Sequence, residues 1–178
     1  MTERNPPVEA RIFIGMGSNV GNRIAYLRRA IEELRGESSL KVIAASPVYK
    51  SAAHTLEPSH RHPDFLNAVV EIATDLDPHD LLNVCLRIER SAGRTRDEDV
   101  SWAPRTLDLD LLIFGQAVID DKQLAVPHRR LGQRQFVLRP LADLAPELYV
   151  PAPYETTVAA LLRECPDTDV PVRTEYVL

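Results

Sequence analysis

The run Trp102-Ala103-Pro104-Arg105-Thr106-Leu107-Asp108-Leu109-Asp110-Leu111-Leu112-Ile113-Phe114-Gly115 sets two carboxylates, one residue apart, inside an aliphatic stretch that reads as a buried strand. Folding alone gains nothing from that. Successive strand side chains point to opposite faces, so Asp108 and Asp110 share a face with Cα atoms about 6.5 Å apart. Leu107, Leu109, Leu111 and Ile113 are expected on the other face. Two like charges side by side call for a cation, and Mg²⁺ is commonly held by one or two carboxylates plus substrate phosphates and waters. Arg94 and Arg105 flank the pair as candidate anion clamps. A half-exposed strand with a solvated polar face explains the pattern equally well, so the rest of the chain must decide.

The chain has 178 residues and a net charge of −5. That length suits one domain with its own core, spanning residues 1–178. The acidic balance argues against nucleic acid or an anionic membrane as main partner and favours a small ligand. Two cysteines cannot make a disulfide framework, and Cys85 falls on an apolar helix face. No apolar stretch approaches the ~18 residues of a membrane span, and the N-terminal residues lack the apolar core of a signal peptide. A monomeric, cytoplasmic protein is expected.

Residues 11–16 read as a first strand, after which Gly15, Gly17 and Gly21 loosen the backbone before a helix. Ile24, Leu27, Ile31 and Leu34 recur at helical spacing, with Asn22 as N-cap and Gly36 at the close. Residues 40–51 return as a second strand that Pro47 bends or bulges, and residues 52–64 form a long candidate binding loop. The third strand, residues 65–74, puts Leu66, Ala68, Val70 and Ile72 on one face and Phe65, Asn67, Val69 and Glu71 on the other. Asp77, Pro78 and Asp80 open a second helix with Leu81, Leu82, Cys85 and Ile88 on its apolar stripe and Gly93 at its end. The Asp108 strand follows.

The resulting order, β-α-β-β-α-β, predicts an α+β, ferredoxin-like sandwich in which two helices cover one face of an antiparallel sheet. The opposite face is left for chemistry, and Phe65, Asn67, Asp108 and Asp110 should project from it. Beyond Gly115, a hairpin around Asp120-Asp121 and a helix over residues 134–143 are expected. The Pro-rich segment from Tyr149 carries no further signal.

Gly15-Met16-Gly17-Ser18-Asn19-Val20-Gly21 only approximates a dinucleotide fingerprint, and the second strand ends without the acidic residue a ribose would need. A flexible strand-to-helix turn is the simpler reading. No P-loop motif is present. His54, His60 and His62 lack metal-ligand spacing and read as loop residues. His128, followed by Arg129 and Arg130, could meet a nucleotide phosphate or simply occupy a surface turn.

These segments carry a family resemblance. Gly93-Arg94-Thr95-Arg96, the 102–115 run, Val126-Pro127-His128 and residues 134–147 closely resemble 6-hydroxymethyl-7,8-dihydropterin pyrophosphokinase. So do residues 15–21, Ser46-Pro47-Val48-Tyr49 and Pro63-Asp64-Phe65-Leu66-Asn67. The similarity runs over about residues 12–147, leaving 148–178 as a C-terminal extension. It implies transfer of pyrophosphate from ATP to the pterin hydroxymethyl oxygen with release of AMP, in folate biosynthesis. It further implies two Mg²⁺ ions on Asp108 and Asp110, with Arg94 and Arg105 as catalytic groups on the phosphates. Ser51, Ala52, Phe65, Asn67, Trp102 and Phe136 would form the pterin site, and Glu89, Arg96, Leu111, His128 and Arg134 the ATP site. The chain departs from familiar members at Asp97-Glu98-Asp99, an acidic run where basic residues are usual, and at Leu86, Gln123 and Ala125. A non-catalytic pterin or nucleotide binding module of the same fold is the alternative. A metal-dependent hydrolase is a third reading, disfavoured by the lack of a water-activating base.

Overall fold

The computed structural model describes residues 10–53, 63–93 and 106–178. Its centre is β4 (Phe65–Thr74), which is flanked by β1 (Ile12–Ser18) on one side and by β2 (Leu40–Ala45) and β3 (Tyr49–Ser51) on the other. β5 (Asp108–Phe114) pairs with the far edge of β1, and β10 (Val172–Arg173) pairs with β3. Every pairing is antiparallel. Helices α1 (Arg23–Gly36) and α2 (Pro78–Ser91) lie on one face. The predicted β-α-β-β-α-β order and α+β architecture are therefore observed, with two departures in the middle of the sheet.

The second strand divides. Pro47 has no N–H to donate, and the ladder breaks around it into β2 and β3. Ser46 spans the break: its N–H donates to the Val69 carbonyl at 2.9 Å and its Oγ accepts from the Val69 N–H at 2.9 Å. In β5 the register against β1 slips, with Ile14 opposite Leu111 but Phe13 opposite Ile113. Leu112 is the extra residue of this bulge, so the expected alternation stops there. Leu107, Leu109 and Leu111 enter the core under α1 and α2, whereas Ile113, expected beside them, joins Leu112 on the opposite side.

Both helix starts follow the sequence. Asn22 accepts from the Ala25 N–H, and Asp77 accepts from those of His79 and Asp80. Gly36, however, lies inside α1, and extended Glu37 closes the helix. Gly93 does close α2, at φ +80°, with its N–H donating to the Arg90 carbonyl.

The second sheet face is only partly open. A short hairpin, β6 (Ile119–Asp120) and β7 (Ala125–Val126), leads to α3 (Gln135–Leu144). The Pro-rich extension is ordered structure: β8 (Tyr149–Val150) and β9 (Thr156–Thr157) pair and lead to α4 (Val158–Glu164). α3 and α4 bury Val137, Leu138, Leu141, Val158 and Leu161 against Phe13, Val69, Leu112 and Ile113, forming a second core on the face expected to stay bare. Among the described residues, no helix is long and apolar enough to cross a membrane.

Candidate active site

Where α3 and α4 stop, the second face turns polar. The register places Asn67, Gly17 and Asp108 side by side across β4, β1 and β5, and Val69, Gly15 and Asp110 in the next row. Gly15 and Gly17 are thus strand residues, two apart on one face, and the strand-to-helix turn expected of them begins only after Ser18. Their lack of side chains is used. A Cβ on Gly17 would lie 3.2 Å from Asn67 Oδ1, 3.8 Å from the Phe65 ring and 4.0 Å from the Asp108 Cβ. A Cβ on Gly15 would lie 3.3 Å from Leu112 Cδ2. Glycine in a strand interior often marks close approach by a ligand or another chain segment, and here it leaves a floor between an amide and a carboxylate. The alternation of Gly15 and Gly17 was the signal that could have located them on this face.

Asn67 is 5% exposed and donates from Nδ2 to Ser51 Oγ at 2.9 Å. That bond orients the amide, with Oδ1 facing Gly17. Phe65 is half-buried beside it. Ala52 follows Ser51, and its N–H donates to Asp169 Oδ2 at 3.2 Å.

The carboxylate strand is held on its free edge. Buried Glu89 of α2 accepts from the Leu109 N–H at 2.8 Å, between the two aspartates. The His128 N–H donates to the Leu112 carbonyl at 2.9 Å, pinning the segment after β7 to the same edge. Cationic and imidazole groups therefore face Asp110: His128 Nε2 lies 4.0 Å and an Arg134 guanidinium nitrogen 3.9 Å from its Oδ2. Burial first, then Arg134, lowers the His128 pKa to about 4. The imidazole is neutral at pH 7. Its Nδ1 accepts from the Arg130 N–H at 3.1 Å, which assigns the proton to Nε2, the nitrogen nearest Asp110. The Arg134 guanidinium also lies over the Phe136 ring, 5.6 Å from its centroid.

The described candidates thus fall into groups. Phe65, Asn67, Asp108 and Asp110 lie on one sheet face, with His128 and Arg134 beside Asp110. Ser51 joins them through Asn67, while Phe136 sits under Arg134 on the first turn of α3. Leu111 is 3% exposed in the core under the helices, so its side chain points away from the carboxylate face, and Glu89 is turned to the backbone of β5. Arg94, Arg96, Trp102, Arg105, the acidic run 97–99 and His54, His60 and His62 lie outside the described residues. No group of three or more His, Cys, Asp and Glu side chains among the described residues could hold a metal ion. Two carboxylates on one face do fit a hard divalent cation that takes its remaining oxygens from phosphate and water.

Comparison with known proteins identifies the family. The family model for 7,8-dihydro-6-hydroxymethylpterin-pyrophosphokinase (HPPK) matches residues 13–146. The 2-amino-4-hydroxy-6-hydroxymethyldihydropteridine pyrophosphokinase of Methylorubrum extorquens is 41% identical over 143 residues, covering 79% of this chain and 85% of that protein. Its Bacillus subtilis counterpart is 41% identical over 136 residues, covering 76% and 78%. Among solved structures, the HPPK-DHPS protein of Plasmodium falciparum superposes with a TM-score of 0.65 at 16% identity, over 87% of this chain. This chain spans 43% of that longer one, so the likeness speaks for the fold alone. With a matching family model over most of its length and relatives of similar size, the chain belongs to the 7,8-dihydro-6-hydroxymethylpterin-pyrophosphokinase family.

Proposed function

We propose that the uncovered end of the second sheet face binds ATP and 6-hydroxymethyl-7,8-dihydropterin together and transfers the pyrophosphoryl group between them. The pterin hydroxymethyl oxygen bonds to the β-phosphorus, the bridge to the α-phosphate breaks, the hydroxyl proton is lost and AMP leaves. The observation that carries this reading is the row Asn67–Gly17–Asp108, continued by Asp110. A side-chain-free floor lies between an oriented amide and a carboxylate pair, beyond the apolar rows that α3 and α4 cover.

Such transfer depends on positioning and charge neutralisation more than on a covalent protein group. Asp108 and Asp110 would hold two Mg²⁺ ions, which when bound neutralise and orient the phosphates. His128, neutral with its proton on Nε2, can donate to a phosphate oxygen without adding charge, and Arg134 can supply charge from the same side. Arg94, Arg96 and Arg105 complete the anion clamp in this reading. Phe65 and Phe136 stack on the pterin, and Asn67 pairs with its edge. Ser51, Ala52 and Trp102 close the pocket. Glu89 and Leu111 contribute to the ATP side through the backbone of β5.

AMP release from ATP, followed with and without 6-hydroxymethyl-7,8-dihydropterin, tests the assignment. Release that requires the pterin is expected, and pterin-independent release would instead favour a hydrolase. Calorimetry separates the subsites. Phe65→Ala and Asn67→Ala should weaken pterin binding and leave ATP binding largely intact, whereas equal losses for both ligands would refute the division.

A further inference from the structure

Residues 165–178 lie beyond the part of the chain that the family model matches, yet they are bonded along their length. Cys165, Asp167 and Asp169 are partly buried while Pro166, Thr168 and Val170 are exposed, the two-residue alternation of an extended segment lying on a surface. Both aspartates are turned inward to backbone amides that border the pterin pocket proposed above.

Helix α3 has no side-chain cap of its own, because Arg134 occupies the N-cap position and caps nothing. Asp167 supplies the missing acceptor: its Oδ2 accepts from the Gln135 N–H at 3.0 Å. The Gln135 side chain answers by donating to the Asp167 carbonyl at 2.8 Å. Phe136 is the next residue of that turn. The other carboxylate oxygen, Oδ1, accepts from the N–H of Asp169 at 3.0 Å and fixes the turn between the two acids. Asp169 Oδ2 then accepts from the Ala52 N–H, at the end of β3. A relay Gln135–Asp167–Asp169–Ala52 therefore joins the α3 side of the pocket to the β3 side. Downstream the segment is tied to the scaffold. The Thr174 N–H and Oγ1 both donate to the Val48 carbonyl at 2.9 Å, β10 pairs with β3, and Arg28 of α1 donates to the Val177 carbonyl at 3.0 Å.

We infer that Asp167 and Asp169 are positioning residues for the pterin site, a strap that fixes the separation between Phe136 and the Ser51-Ala52 backbone. The inference rests on the pyrophosphokinase reading and adds to it a specificity element outside the family-matched residues. Neither acid touches substrate. Each acts by holding an amide whose displacement would shift a pocket wall, and a loosened hold on the pterin ring, shared by ground and transition state, raises KM without lowering kcat.

The test is steady-state kinetics of the full-length chain with both substrates varied. Asp167→Ala and Asp169→Ala should each raise the KM for 6-hydroxymethyl-7,8-dihydropterin about tenfold, the scale of one charge-assisted hydrogen bond, while kcat and the KM for ATP stay within about twofold. Asp167→Asn keeps an acceptor for the Gln135 N–H and should restore most of the pterin KM, and exposed Thr168→Ala should change nothing. Asp169→Ala leaves the α3 cap intact, so it reads the strap even where Asp167→Ala fails to fold. The double variant should raise the KM by less than the product of the single effects, because the acids share one relay. An unchanged pterin KM in Asp169→Ala, or parallel losses for both substrates, would overturn the inference. Absence of pterin-dependent AMP release from the wild-type chain would instead overturn the functional reading beneath it.

Discussion

The second face of the central sheet has two ends, built from the same three strands and differing in what lies over them. At one end Phe13, Val69, Leu112 and Ile113 are covered by Leu138, Leu141 and Val158 of α3 and α4, and all are essentially water-free. The row of Val69, Gly15 and Asp110 is the boundary, where Asp110 keeps 40% of its side chain exposed, and one row further the same strands carry Asn67, Gly17 and Asp108. Strand alternation assigns both ends to one face. It does not decide which end becomes core. That is set by residues 131–164, which cover the apolar end and leave the end whose carboxylates would be costly to bury. The covered end should therefore govern stability, and the uncovered end chemistry.

The sharpest break in this division would come from the carboxylates. Asp108→Asn and Asp110→Asn should each lower turnover by on the order of a hundredfold or more, because in the proposed function these two carboxylates hold the metal ions. Thermal stability should hold, since the relief of one of two like charges is offset at Asp110 by the loss of its attraction to Arg134. Leu138→Ala should do the reverse: about 2–5 kcal/mol of stability lost in denaturant unfolding, with turnover preserved where the variant is folded.

Gly17→Ala lies one row past that boundary and sharpens it. Its Cβ would press on Asn67 Oδ1 at 3.2 Å, so pterin affinity measured by calorimetry should fall by about tenfold, the worth of one displaced hydrogen bond. Equal loss of ATP affinity would show that the glycine floor serves the whole site.

The smallest effect concerns the tie between α3 and the sheet. The Tyr49 hydroxyl donates to Asp143 Oδ2 at 2.6 Å, and burial, reinforced by that bond, pushes its pKa up to about 12 from 10. The fold thus favours the neutral phenol. Its contribution is fully present below pH 10 and is lost as pH rises toward 12. Tyr49→Phe should cost about 1 kcal/mol at neutral pH and remove this part of the alkaline destabilisation. An identical alkaline slope in the variant would count against the tie.

Much of this was legible in the chain itself. The carboxylate strand, the third strand with its Phe65 and Asn67 face, and the caps at Asn22 and Asp77 follow from period and local chemistry. The bulge at Leu112 was not, because Leu107 to Phe114 is apolar at every position but two and nothing marks where alternation slips. Nor was the second core. Val69 sits among polar neighbours on its face, and its burial depends on helices more than sixty residues away. Gly15 and Gly17 suggested a turn because glycine's local preference masks a role that exists only across strands. Asp167 and Asp169 lie in the Pro-rich segment that carried no signal, since a cap supplied from 32 residues downstream has no local spacing to reveal it.

The most direct test of the division runs pterin-dependent AMP release and thermal melting on the wild type, Asp110→Asn and Leu138→Ala, at a temperature where all three are folded. A crossed result is expected. Asp110→Asn should melt with the wild type and release almost no AMP, and Leu138→Ala should melt earlier yet turn over within about twofold of wild type. Near-normal turnover by Asp110→Asn at limiting Mg²⁺ would contradict it.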